Sequence, residues 1–539
     1  MRRTRSEMVL AHIELEAFLS RTGGLVTGSV ITDAKDRQYR QQYAWSSNED
    51  GTLSIQRSDG RGSTLIIPKN IPLDESLVAF FGLYSGDGAK GVEAADDTTR
   101  IIPNISFSQK ESHLVRFAVD QFRRLFPHDI RFTFSLGEDS AYFMAGEGER
   151  NLSAYYISQG LPGTPQCVAL ADCRADLNAA DRAYIMEVRP DVQGSNEDQL
   201  AFYYTHKAAM EEILTAVKQK ELIAVGIDPS APDIRVTASL RRPFKKGARQ
   251  PGGSSRSDEI HVAGLTGVGE LFLKMLHEIE DSILRDVAIS SSGLIRWCGR
   301  PSEIGELLDV HDFFAANPYG MINNEHPIRL VDDDGPWMIG QWRRSSETKL
   351  LKQLRIDPLW CYTSGLYLAE GTTDKSKLFG LFTRSVGALG LGFTSSEGSS
   401  IELMLRTLHK LFPVDVCLDA WKVKVGSQYF PELVVTGLKQ GVSMLRGGAS
   451  GDGKLRTVEI SLSIKQWGLD VADAPFEGSE PSLLHRHYAD RYSHVEPTGA
   501  GVARIDFWAS SSLCRWYFPL IMYTVFGTII PDPYTGFYS

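Results

Sequence analysis

The chain has 539 residues, 42% of them hydrophobic and 23% charged, with a formal net charge of −10. These proportions exclude a disordered, collagen-like or fibrous chain, and at about 150 residues per domain the length asks for three or four domain-sized units. The negative net charge argues against a protein that coats nucleic acid non-specifically, because such binding needs a positive surface that displaces counterions.

Residues 1–70 read as an N-terminal extension: a short amphipathic helix, then strand-like stretches such as GTLSIQRSDGRGSTLIIP. Its opening, MRRTRSEMVLAHIELEAFL, is broken by Glu14 and Glu16 and makes a poor signal peptide. From residue 71 the pattern changes. Leu77, Val78, Phe81 and Tyr84-Ser85 mark a helix that ends at Gly88, where glycine is expected as the C′ residue. His113–Leu125 has apolar residues at helical spacing, and Thr133–Leu136 with Ala141–Met144 alternate like strands. Residues 161–233 contain the helical pattern DQLAFYYTHKAAMEEILTAVKQ and read as an insertion. Residues 331–356, beginning VDDDGPW, have linker character. Beyond them Ile401–Leu411 reads as an amphipathic helix, and Cys417–Val425 with Glu432–Thr436 as strands. The class is α+β.

The chain also resembles itself. Residues 80–88 are FFGLYSGDG and residues 363–371 are TSGLYLAEG, both with Gly-Leu-Tyr, two variable positions, an acid and a glycine. Downstream, Phe107 matches Phe393 and Leu125-Phe126-Pro127 matches Leu411-Phe412-Pro413, at one offset of 286, against 283 for the acids. A weaker third pair, VAISSSGLIRW at 287–297 and IDFWASSSLCRW at 505–516, reads in each case as a strand passing through a serine turn into a helix. Three ordered matches imply duplication, with a first repeat at 71–330 and a second at 331–539.

The two acidic segments resemble the signature of the LAGLIDADG (dodecapeptide) homing endonucleases in their single-chain, two-motif form. The resemblance implies two pseudo-symmetric αββαββα repeats forming a saddle, with the insertion in the first repeat and the N-terminal extension outside the pattern. It implies a monomer with pseudo-twofold symmetry that cuts double-stranded DNA at a long, imperfectly palindromic site. Gly82 and Gly86 in the first helix, with Gly365 and Ala369 in the second, would let the helices approach closely, while Phe80, Phe81, Leu83, Leu366 and Leu368 face the repeat cores. Asp87 and Glu370 would then stand side by side as the catalytic carboxylates, holding Mg²⁺ or Mn²⁺ together with the Gly86 and Ala369 positions. Ser85 and Leu368 occupy a motif position that is often acidic in the family. The lysine that relatives often carry near the closing helix is missing at Ser290-Ser291-Ser292 and Ser510-Ser511-Ser512.

Two basic stretches read as strand–loop–strand ribbons for DNA. Arg235, Arg241, Arg242, Lys245, Lys246, Arg249 and Arg256 fall together with no acid between 235 and 256. Lys439, Arg446, Lys454 and Arg456 sit in LVVTGLKQGVSMLRGGASGDGKLRTVEISLSI with Asp452 as the one acid among them. Such ribbons fit the major groove, with Arg and Lys on phosphates or guanine edges.

Other features point to nothing catalytic. The six cysteines, at 167, 173, 298, 361, 417 and 514, form no metal array and read as buried reduced thiols of an intracellular protein. His485 and His487 have no third ligand nearby, and Asp332–Asp334 reads as a solvated turn. The apolar run near Trp516–Phe526 contains Pro519 and falls short of the roughly 20 residues that cross a bilayer. The ends lack the residues of a self-splicing intein. Besides the endonuclease, two readings stay open: a catalytically weak or inactive binder of DNA or RNA on the same fold (an intron maturase or a transcriptional regulator), and an assembly protein.

Overall fold

The structure, a computed structural model, describes residues 8–22, 25–32, 38–60, 64–88, 105–109, 112–127, 130–139, 225–241, 256–263, 268–288, 293–316, 328–342, 347–371, 391–395, 398–412, 421–425, 442–444, 458–462, 503–507 and 513–527, with scattered positions between 204 and 223. The chain divides into two compact units, one from Met1–Glu14, Pro72–Gly86 and Met275–Pro531, the other from Leu15–Ile71, Asp87–Lys274 and Asp532–Ser539.

Strand β1 (Val9–Glu14) leads into helix α1 (Leu15–Thr22). Next, β2 (Leu25–Thr32), β3 (Gln38–Ser47), β4 (Thr52–Arg57) and β5 (Leu65–Pro68) form an antiparallel meander. Period-two alternation explains it: Leu53, Ile55, Leu65 and Ile67 are buried, and polar or half-exposed neighbours fall between them. Strand β6 (Asn70–Asp74) joins the sheet of β1 and ends on Asp74, whose Oδ1 accepts the Leu77 N–H at 2.9 Å. That bond caps helix α2 (Glu75–Asp87).

After α2 come β7 (Ser106–Ser108), α3 (Ser112–Leu125), β8 (Arg131–Asp139), β9 (Ile234–Arg241), β10 (Arg256–Ala263) and α4 (Val268–Arg285). Leu114, Ala118, Phe122 and Leu125 bury one face of α3, and the Phe122 ring lies 5.8 Å from that of Phe272 on α4. The sheet order is β7-β10-β8-β9, with β8 and β9 parallel. Parallel neighbours need a crossover, and the chain between them is the expected insertion. Its described positions include helical residues between 204 and 223, tied by Thr215 Oγ1 donating to the Glu211 carbonyl at 2.7 Å. A short strand, β11 (Ile295–Trp297), then pairs antiparallel with β1.

The second half repeats this order. Strand β12 (Glu306–Asp309) leads into α5 (Val310–Ala316). Strands β13 (Ile328–Asp332), β14 (Trp337–Trp342) and β15 (Thr348–Leu351) form a meander, and β16 (Gln353–Ile356) pairs with β12. Asp357 caps α6 (Pro358–Glu370) by accepting the Trp360 N–H at 2.9 Å. Then come β17 (Leu391–Ser395), α7 (Gly398–Leu411), β18 (Trp421–Val425), β19 (Val442–Met444), β20 (Val458–Leu462), β21 (Ala503–Phe507) and α8 (Leu513–Phe526). Their sheet order is β17-β21-β18-β20-β19. Helix α8 packs on α6 through Tyr517, whose ring stands edge-on to Trp360 and Tyr367 at 5.6 and 5.2 Å, and through Trp360 Nε1 donating to Thr524 Oγ1 at 2.7 Å.

Three expectations are corrected. Residues 331–356 are not a linker but a meander; its strands of four to six residues are too short to show much periodicity, and Asp332–Pro336 supplies turn signals. That meander is the counterpart of β3–β5, so the duplication reaches upstream of the helices. Residues 65–74 match residues 348–357 at the same offset of 283 that relates the acids. The first helical residues, Leu15 and Val310, donate to the equivalent carbonyls of Lys69 and Lys352 at 3.0 and 2.8 Å. Finally, the third sequence match is false in the first copy. Ile295–Trp297 is a strand, and the counterpart of α8 is α4, because each follows a strand paired with the matched phenylalanine: Ile260 opposite Phe107, Ile505 opposite Phe393. Each copy shows one described strand between its long helix and its amphipathic helix; residues 89–104 and 372–390, where αββαββα would place another, lie outside the described residues.

The caps give a test. Asp357 is buried and also pairs with Lys410, so Asp357→Ala removes a cap and strands a cation, whereas Asp357→Asn keeps the acceptor. Equilibrium denaturation should show Asp74→Ala costing about 1 kcal/mol, Asp357→Ala about 3 kcal/mol or more, and Asp357→Asn less than Asp357→Ala.

Candidate functional site

The site is built on the contact between α2 and α6. Both helices are buried almost all round: Leu77 to Ser85 in one, Trp360 to Ala369 in the other. Their backbones touch. A Cβ on Gly82 would overlap the Tyr362 carbonyl oxygen and lie 3.1 Å from the Leu366 nitrogen. A Cβ on Gly365 would overlap the Ala79 carbonyl oxygen and lie 2.7 Å from the Leu83 nitrogen. Ala79, Gly82 and Leu83 become Tyr362, Gly365 and Leu366 on adding 283, so each contact is the other with the helices exchanged. Reciprocity of that kind is the mark of a twofold relation. Gly86 meets Ala369, its own counterpart, so this pair straddles the pseudo-axis.

One residue beyond that pair, each helix ends in its acid. A Cβ on Gly86 would stand 2.9 Å from the Glu370 Cγ, so this side chain lies against the first helix. Asp87 Oδ2 accepts a 2.7 Å hydrogen bond from Gln109 Nε2. Gln109 is 5% exposed and directly follows β7, whose Phe107 bridges to Gly88 and so docks the strand at the helix end. Sequence reasoning missed Gln109; the one signal was its position two residues past the matched phenylalanine. Ser85, in the same last turn, is buried and its hydroxyl has no hydrogen-bond partner. The carboxylates and nearby backbone carbonyls are hard oxygen donors, the set that suits Mg²⁺ or Mn²⁺. The first helix does not end on the left-handed C′ glycine expected at Gly88. Gly88 has no positive φ, and Gly371 is extended at φ −64° and ψ 161°, its N–H donating to the Tyr367 carbonyl at 2.7 Å. Glycine is needed at 371 for room, since a Cβ there would run into that carbonyl.

The sheets align polar residues at matched register positions. In the first copy the registers align Ser106 and Ser108 with His261 and Glu259, these with Thr133 and Ser135, and these with Arg235 and Thr237. The next register rows align Phe107 with Ile260, Phe134 and Val236, and Phe132 with Ile234; Phe107, Phe132, Phe134 and Ile234 are buried. In the second copy the register aligns Thr394 with Arg504 and Lys424, and Gly392 with Asp506, Lys422 and Glu459.

The ribbon expectation is half corrected. Strands β9 and β10 flank the basic loop of the first copy, but β8 lies between them, so they are not a two-stranded ribbon. Patterning could not reveal this, because β8 enters from far upstream. Arg235 is exposed on β9, Arg241 ends that strand, Arg256 begins β10, and Arg242, Lys245, Lys246 and Arg249 lie outside the described residues. In the second copy β19 and β20 do pair directly, Met444 opposite Ile460, while Lys439, Arg446, Lys454 and Arg456 fall outside. The serine triplets and His485 and His487 also lie outside the described residues.

Elsewhere, Asp333 is held below the ordinary carboxylate range by its hydrogen bond with Lys349, and Asp332 pairs with Lys352, so the acidic turn is neutralised by β15 and its successor. Cys361 is buried as expected, but Cys298 is exposed. Ligand atoms of Asp309, His311 and Asp312 lie within 4.8 Å of one another. Asp309 already caps α5 by accepting the Asp312 N–H at 2.8 Å, and the side chain of Asp312 is 85% exposed, so this trio is a helix start with solvated neighbours. Among the described residues no helix is long and apolar enough to cross a membrane.

Comparison of the chain with protein-family models, curated proteins and solved structures finds no match.

The helix contact gives a paired prediction. Gly82→Ala and Gly365→Ala both press a methyl group on backbone that cannot rotate away. Each should cost about 3 kcal/mol, the upper end for overpacking, measured as a fall in the denaturation midpoint. The two losses should be alike because the contacts are reciprocal.

Proposed function

We propose that this protein is a divalent-metal-dependent, double-strand DNA endonuclease of the LAGLIDADG kind, with two pseudo-symmetric halves of a saddle over one duplex. One observation carries the proposal: the reciprocal contact of α2 and α6, with an acid closing each helix immediately beyond the axis pair. Asp87 and Glu370 would hold Mg²⁺ or Mn²⁺, alongside the Gly86 and Ala369 carbonyls. The metal would supply Lewis-acid stabilisation of a phosphodiester and a lowered pKa for bound water. Gln109 orients the Asp87 carboxylate through its amide. The sheet rows that carry Arg235 and Thr237 in one copy and Lys422, Lys424 and Arg504 in the other would take the DNA backbone and base edges. The second reading, a nucleic-acid binder without cleavage, is favoured by the net charge of −10.

Cleavage of a supercoiled plasmid library bearing random inserts, with Mg²⁺, separates the two readings. Asp87→Asn and Glu370→Gln should each abolish double-strand cutting while leaving DNA affinity within a few-fold. Full cutting by either variant refutes the catalytic assignment. For the basic loop, the variant with Arg241, Arg242, Lys245 and Lys246 all changed to Ala should lower the magnitude of the log-affinity against log-salt slope by roughly three to four, at about 0.9 per phosphate contact. An unchanged slope in the folded variant removes that loop from the interface.

A further inference from the structure

The acids that close α2 and α6 are not equally supported. At the first, Phe107 on β7 pairs with Ile260 and bridges to Gly88, which pins the strand beside Asp87. Gln109, two residues on, donates its Nε2 hydrogen to Asp87 Oδ2 at 2.7 Å. Phe107 is 1% exposed and Gln109 5%, so the donor stands in packed surroundings. An amide is a neutral donor. It fixes the carboxylate and leaves its negative charge to a metal, whereas a cationic side chain would compete for that charge. A carboxylate offers roughly four acceptor positions, and this N–H takes one.

The position matched to Gln109 in the second copy, at the same offset of 286, is Ser395, the last residue of β17 and opposite Ala503. Serine has no amide and a shorter reach. The acid of that copy is Glu370, whose side chain has one more rotatable bond than Asp87 to immobilise when it takes a ligand. We propose that Gln109 is a positioning residue that makes the Asp87 end the tighter divalent-cation site, so that the chain takes up one metal before the other. This rests on the metal-dependent nuclease reading and adds an order of loading to it. Groups that orient a ligand without touching the metal change metal affinity by about 10- to 100-fold.

Manganese alone, titrated into the full chain without DNA and followed by the electron paramagnetic resonance of the free ion, tests the proposal apart from cleavage. Two classes of site should appear, about tenfold or more apart in affinity. Asp87→Asn should remove the tight class and Glu370→Gln the weak one. Gln109→Met keeps most of the side-chain volume and loses the donor. It should weaken the tight class by about 10- to 100-fold and leave the weak class nearly unchanged. Should that variant fail to fold, Gln109→Asn, which retains the amide but shortens its reach, serves with the same expectation. A lowered denaturation midpoint with an unchanged tight class overturns the proposal, since Gln109 would then act on stability alone. A single class of site, or loss of the tight class in Glu370→Gln, overturns it too while leaving the nuclease reading intact. A chain that takes up no manganese overturns both.

Discussion

Everything central in this protein depends on two helices approaching until backbone meets backbone. At Gly82 and Gly365 no Cβ can be accommodated, since a carbonyl oxygen of the opposite helix occupies its place. So close a contact leaves neither helix a solvent face near the crossing, which is why α2 and α6 are apolar on all sides instead of amphipathic. Their charged residues gather at the ends, an aspartate cap at the start of each and an acid at the finish, while the buried Thr363 and Ser364 in the middle of α6 are hydrogen-bonded. The contact thus fixes the relation of the helix ends as firmly as that of the helix middles, which an exposed salt bridge could not do.

The elements before each helix act as its mount. A three-stranded meander and a returning strand deliver Asp74 or Asp357 to the first turn, and a lysine carbonyl receives the first N–H of the preceding short helix. With this machinery present twice, the duplicated unit runs from the first strand to the closing helix, longer than the helix motifs alone reveal. The copies diverge where divergence is cheap. Strands β8 and β9 run parallel across an insertion, whereas β18 and β20 are antiparallel, yet the edge strand, its partner and the buried helix keep their order. A long crossover adds loop-closure entropy that grows only slowly with length.

A chain of net charge −10 can still present local surfaces that suit an anion. Along β8 and β9, Thr133, Arg235 and Thr237 alternate with Phe132, Phe134 and Ile234, and the latter three are buried, so this part of the sheet turns an apolar side to the core. The basic loop of the first copy leaves the end of β9 at the sheet edge, and its return strand sits on the far side of β8.

The sequence alone determined what depends on local spacing. Glycines four residues from a small residue, followed by an acid, marked the two helices and their contact face; the constant offset marked the duplication; apolar spacing marked α3 and α7. It also placed the acids at the helix ends, because helix length is a matter of local pattern. Only the tertiary structure decided which distant segments meet. Insertion of β8 between β9 and β10, pairing of β11 with β1, the meander hidden in residues 328–351, and the reach of Gln109 to Asp87 each join residues whose partners lie far away in the chain. Strand pairing is chosen by which edge is open when the core closes, and no residue within strands this short records that choice.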